Sequence, residues 1–159
     1  MNDFLFSVVS DVLVGAGTSQ QLGDMAAAMG MQRALIVTDP GIVKFGLLDS
    51  AVKNLETNNV TLSIYSDVVA DPPESVVMDA VAAAQAFGCD GVIGFGGGSS
   101  MDVAKLLAVL IKGEQALADI YGVDQISAGR LPLIQVPTTA GTGSEATMVS
   151  IITTGETTK

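Results

Sequence analysis

Apolar residues along this chain alternate between short continuous runs and longer stretches at helical spacing. Ala34-Leu35-Ile36-Val37-Thr38 is a run of the first kind, broken by Asp39-Pro40-Gly41, and reads as a buried strand stopped by a turn. Val60 to Tyr65, Cys89 to Phe95 and Leu133 to Val136 read the same way. Between them, Thr18 or Ser19 is placed to cap a helix reaching about Met29 and stopped at Gly30. Ile42 to Glu56 has helical spacing interrupted at Gly46, with a fresh cap at Asp49 or Ser50. Asp71-Pro72-Pro73 is a stiff turn into a helix from Glu74 to Phe87, with Val77, Ala80, Val81 and Ala84 on one face. Ser99 to Ile111 predicts a further helix, and Gln115 to Tyr121 a short helical segment. β-Rich residues predict strands at Phe4 to Val14 and Val149 to Thr153. Strands alternating with helices predict an α/β fold with a doubly wound, mostly parallel sheet. Ligands of such sheets sit beyond the carboxyl ends of the strands.

Three loops fall at predicted strand ends. The middle one, Gly96-Gly97-Gly98-Ser99, joins an apolar strand to a helix. Side-chain-free backbone there lets amides approach a ligand, and the helix start adds unpaired N–H groups and a positive dipole end. Such a corner suits phosphate, above all the pyrophosphate of a dinucleotide. It has neither the G-x-G-x-x-G nor the Walker A spacing, so a tight turn alone is the competing reading. Asp39, just past the first strand, reads either as an acid for ribose hydroxyls or as an Asp-Pro turn residue. Asp102 and Lys105 share a helix face and read as a surface ion pair or as site residues facing the ligand end. Thr138, Thr139, Thr142 and Ser144, with Gly141 and Gly143, form the third loop. It is either a solvated loop with a helix cap or a source of hydroxyl and amide donors. Gly15-Ala16-Gly17 reads as a turn, and Cys89 as a small core residue rather than a nucleophile.

Composition narrows the choice. At 159 residues the chain suits one domain, 1–159, and its 48% apolar content with 4% aromatics predicts an aliphatic, alanine-rich core. The net charge of −10 with seven basic residues argues against nucleic acid or an anionic membrane as partner. One cysteine excludes an internal disulfide, and no signal peptide or spanning segment is visible, so a reducing cytoplasm is expected. The sequence contains no histidine, which excludes a His-based acid/base pair, a triad or a His-ligated metal within it. No catalytic or metal-ligating set is expected inside these residues.

The motifs Val37-Thr38-Asp39-Pro40-Gly41, Asp71-Pro72-Pro73, Gly96 to Lys105 and Pro137 to Glu145, with Ile151-Ile152-Thr153 and Lys159, carry a resemblance. In order and spacing the chain resembles the N-terminal domain of the iron-containing (group III) alcohol dehydrogenases, relatives of glycerol dehydrogenase and dehydroquinate synthase. The resemblance implies a Rossmann-like, dehydroquinate synthase-like domain that binds NAD, with NADP disfavoured by Asp39. It implies hydride transfer between that cofactor and a small alcohol or aldehyde. It places Asp39 on the adenosine ribose, Gly96, Gly97, Gly98 and Ser99 at the pyrophosphate, and Asp102 near the nicotinamide. Thr138, Thr139, Thr142, Gly141, Gly143 and Ser144 would border adenine and ribose, and Lys159 would reach ribose or phosphates. Asp71 stands where the family often has Asn before Pro, adding a charge near the cofactor. The family's Fe²⁺ or Zn²⁺ is held by an Asp and three His of a following helical domain that these residues do not contain. The chain is therefore expected to be an N-terminal part, inactive alone. Copies would pair through the N-terminal strand around Phe4 to Val14. A free-standing NAD-binding module and the cofactor domain of a dehydroquinate synthase-type cyclase are the competing readings.

Overall fold

The computed structural model describes residues 9–155. Four strands, β1 (Arg33–Val37), β2 (Thr61–Tyr65), β3 (Gly91–Gly96) and β4 (Leu133–Pro137), form one parallel sheet in the order β2-β1-β3-β4. The helices are α1 (Leu22–Ala28), α2 (Pro40–Lys44), α3 (Asp49–Thr57), α4 (Glu74–Phe87) and α5 (Gly98–Lys112). This is the α/β, Rossmann-like fold that the alternating pattern predicts.

Period-two side-chain geometry divides each strand between two apolar layers. Leu35, Val37 and Val92 face a layer built with Val77, Ala80, Ala84, Val103, Ala104 and Leu107 of α4 and α5. Ala34, Ile36, Ile93 and Phe95 face a second layer with Leu22, Ala26, Ala51 and Leu55 of α1 and α3. Both faces of the central strands are thus covered. Continuous apolar runs are what such strands require, since neither face meets water.

The ends of the chain depart from the predicted strands. Val9 to Val14 forms no strand, and Val12 and Val14 are exposed; Phe4 to Val8 lies outside the described residues. Val149 to Thr153 forms a single parallel bridge, Thr153 with Pro73. Thr153 N donates to the Pro72 carbonyl at 2.9 Å and its carbonyl accepts from Glu74 N at 3.2 Å. The two prolines lack the N–H that a longer ladder needs. The first helix also differs at its start: Thr18–Gln21 forms a tight 3-10 turn before α1. Thr18 caps nothing, because its hydroxyl donates back to the Gly15 carbonyl at 3.1 Å. The break at Gly46 falls as expected, but α3 starts at Asp49 without a side-chain cap.

Candidate functional site

The loops after β1, β3 and β4 meet at the carboxyl end of the sheet. Parallel register puts them there: Val37 pairs with Gly94, and Gly96 with Pro137. The next residue locks two loops together, with Thr138 N donating to the Gly96 carbonyl at 2.9 Å. Gly96 has φ +155°, a conformation suited to glycine. A Cβ there would lie 2.6 Å from Ser100 Oγ and 3.3 Å from Asp39 Oδ2. Asp39 thus reaches the glycine corner across the sheet.

The structure bears out the turn reading of Asp39. The residue is the N-cap of α2, its Oδ1 accepting from Gly41 N at 2.9 Å and Ile42 N at 3.1 Å. Its Oδ2 has no hydrogen-bond donor among the described residues and faces Gly96. The third loop lies over the corner: positions for a Cβ on Gly97 and on Gly98 are 3.5 Å from Thr139 Oγ1 and 3.3 Å from Thr142 Cγ2. No side chain caps α5, so the amides of Gly98, Ser99 and Ser100 at its first turn have no intrahelical acceptor. Gly141 and Gly143 make the loop's turns at φ +103° and +68°.

Asp102 and Lys105 form an ion pair of 2.9 Å, but with side-chain exposures of 11% and 12% it is not a surface pair. Both Asp102 oxygens are engaged within the chain. Ser144 Oγ donates to Oδ1, and Ile151 N donates to Oδ2 at 3.0 Å. Ser144 is itself buried. Removing one partner alone from such a buried pair costs about 3–5 kcal/mol, because the other charge is left uncompensated.

Asp71 sits at the turn before α4. Its carboxylate is exposed, its φ is +49°, and its carbonyl accepts from Thr153 Oγ1 at 3.1 Å. Lys159 lies outside the described residues. Sequence reasoning passed over the hydroxyl of Thr38, which is wholly buried at the end of β1 and has no partner among the described residues. Its backbone is fully used, N–H to Tyr65 and carbonyl from Val68 N, so only the side chain is idle. Cys89 is buried, and burial first, then the charge of Asp90, pushes its thiol pKa up; a thiolate nucleophile is disfavoured there. Among the described residues no three His, Cys, Asp or Glu side chains gather to hold a metal ion, and no helix is long and apolar enough to cross a membrane.

Comparison with known proteins adds the lineage. The family model described as iron-containing alcohol dehydrogenase matches residues 10–159. Long-chain-alcohol dehydrogenase 1 of Geobacillus thermodenitrificans is 41% identical over 149 residues, covering 92% of this chain and 38% of that protein. Alcohol dehydrogenase 4 of Schizosaccharomyces pombe is 38% identical over 148 residues, covering 93% of this chain and 35% of that one. The crystal structure of a 1,3-propanediol oxidoreductase superposes with a TM-score of 0.93 at 28% identity, over 97% of this chain and 40% of that one. The chain thus spans well under half the length of the relatives it matches.

Proposed function

Because the chain belongs to the iron-containing alcohol dehydrogenase family, we propose that it is the dinucleotide-holding part of an enzyme transferring a hydride between NAD and a small alcohol or its aldehyde. Gly97 carries this reading. Its φ of −78° is open to any residue, and a Cβ would meet nothing closer than 3.5 Å, an ordinary contact. Neither the turn nor the packing asks for glycine at 97. Close approach of a ligand to the backbone does.

In this reading the amides at the start of α5 receive the pyrophosphate, with Gly96, Gly97, Gly98 and Ser99 leaving room for it. Asp39 Oδ2 accepts from the adenosine ribose hydroxyls and repels a 2′-phosphate, which favours NAD over NADP. Thr138, Thr139 and Thr142 supply hydroxyls along the adenosine side, where Gly141, Gly143 and Ser144 shape the loop. Lys159 is assigned to the ribose or phosphates on family resemblance alone. When bound, the nicotinamide supplies the hydride chemistry; the residues of this chain bind and orient it.

A metal does not fit the residues at hand. The sequence has no histidine, Asp102 is committed to Lys105, and the one open oxygen of Asp39 belongs to no group of three ligand-bearing side chains among the described residues. Activation of the alcohol in this reading relies on groups outside these 159 residues, and the chain alone is inactive.

Thermal denaturation with and without NAD tests the proposal. A ligand bound only by the folded state adds about 2.7 kcal/mol at a hundredfold excess over its Kd, a clear rise in melting midpoint. Gly97→Val is expected to melt near the parent's unliganded midpoint and to lose the NAD-dependent rise. A parent midpoint indifferent to millimolar NAD, or a rise retained in Gly97→Val, would sink the reading.

A further inference from the structure

The strongest unassigned device in the molecule is the lysine beneath the third loop. Lys105 Nζ donates to the Ser144 carbonyl and to Ser144 Oγ, each at 3.0 Å, to the Thr147 carbonyl at 3.4 Å and to the Val149 carbonyl. It also pairs with Asp102 Oδ1 at 2.9 Å. Residues 144–151 form no helix or strand, so their carbonyls have no ladder to join. A single ammonium gathers three of them.

An ammonium has three N–H donors and no acceptor. With five oxygens around it, Lys105 has none left for a phosphate, which sets it apart from a ligand-binding lysine. The Ser144 hydroxyl fits between the two charges: it accepts from Lys105 and donates to Asp102.

We propose that Lys105 is a positioning residue, which fixes the threonine loop over the glycine corner by holding that loop's downstream end. The upstream end is held independently, by Thr138 N on the Gly96 carbonyl. Between these two anchors, Thr139 and Thr142 are suspended against Gly97 and Gly98. Loss of the lysine frees one anchor and lets both threonines leave the corner. The role rests on the cofactor reading above. It adds that loop order, set from below by a residue that does not touch the cofactor, controls affinity.

The experiment measures NAD affinity by calorimetry, unliganded melting midpoint and limited proteolysis of residues 139–150. It uses the parent chain, Lys105→Met and the double variant Asp102→Asn/Lys105→Met, which removes the buried charges together. If the loop is competent one-tenth of the time, apparent Kd rises about tenfold. The expected result is that loss in the double variant at a near-parent unliganded midpoint, with faster cleavage in the loop that saturating NAD reverses. A double variant that binds NAD and resists protease like the parent overturns the positioning role. Should both variants fail to fold, amide exchange in the parent decides: residues 144–149, which form no helix or strand, exchange slowly if the lysine holds their carbonyls, and exchange at a free-peptide rate overturns it. A parent that binds no NAD while its loop is protected overturns the cofactor reading instead.

Discussion

At the scale of single residues, Asp39 divides its carboxylate between an observed role and a proposed one. One oxygen holds the start of α2 and the other faces the glycine corner. Glycine is also a fair N-cap, costing only a few tenths of a kcal/mol against Asp, so Asp39→Gly separates the roles. It should leave stability nearly unchanged while shifting the NADP-to-NAD affinity ratio by about tenfold, or about 1.4 kcal/mol. Paired binding titrations with the two cofactors check this, and an unchanged ratio removes Asp39 from the ribose. Tyr121 gives a pH-dependent case. Burial first, then its hydrogen bond to Glu74 and that carboxylate's charge, pushes its pKa up to about 12 from 10.0. The folded state therefore holds the phenolic proton more tightly than the unfolded one. The stabilisation is fully present below pH 10 and is lost as pH rises toward 12. Tyr65 is raised as well, so tyrosinate absorbance should develop at higher pH in the folded than in the unfolded chain, and Tyr121→Phe should remove the phase near 12. The turn role of Asp39 was legible because it depends on a strand end and its neighbours. The Lys105 role was not, because beyond Asp102 its partners are loop oxygens 39 to 44 residues away and no local spacing announces them.

At the scale of elements, the central strands and α4 were legible because one physical requirement dominates each. Strands covered on both faces must be apolar throughout, and Glu74–Phe87 begins after two prolines and ends at Gly88 in a left-handed conformation. Elements whose fate depends on a distant partner were not legible. Val149 to Thr153 has strand composition, but Lys105 and Asp102 take its backbone groups and Pro72-Pro73 cannot extend a ladder. The shared position of the glycine and threonine loops followed from parallel topology alone. Their contact through Thr138 and Gly96 required the structure.

At the scale of the molecule, one sheet separates two apolar layers, and each should behave as its own unit of packing. Leu107→Ala in one layer and Leu55→Ala in the other, both wholly buried, should each cost about 2–5 kcal/mol. Because the two lie in separate clusters on opposite faces, the double variant should add them within about 0.5 kcal/mol, as denaturant unfolding would measure. Coupling well beyond that would mean the sheet transmits strain between its faces. The bridge between Thr153 and the turn before α4 bears on how the chain is made. Asp71 and Thr153 are 82 positions apart, and a loop that long closes only after its far end exists. On the ribosome, the start of α4 emerges long before the residue that covers it. Through that interval Pro72 and Pro73 stand guard by chemistry alone, since a proline edge offers few donors for a stray strand to join.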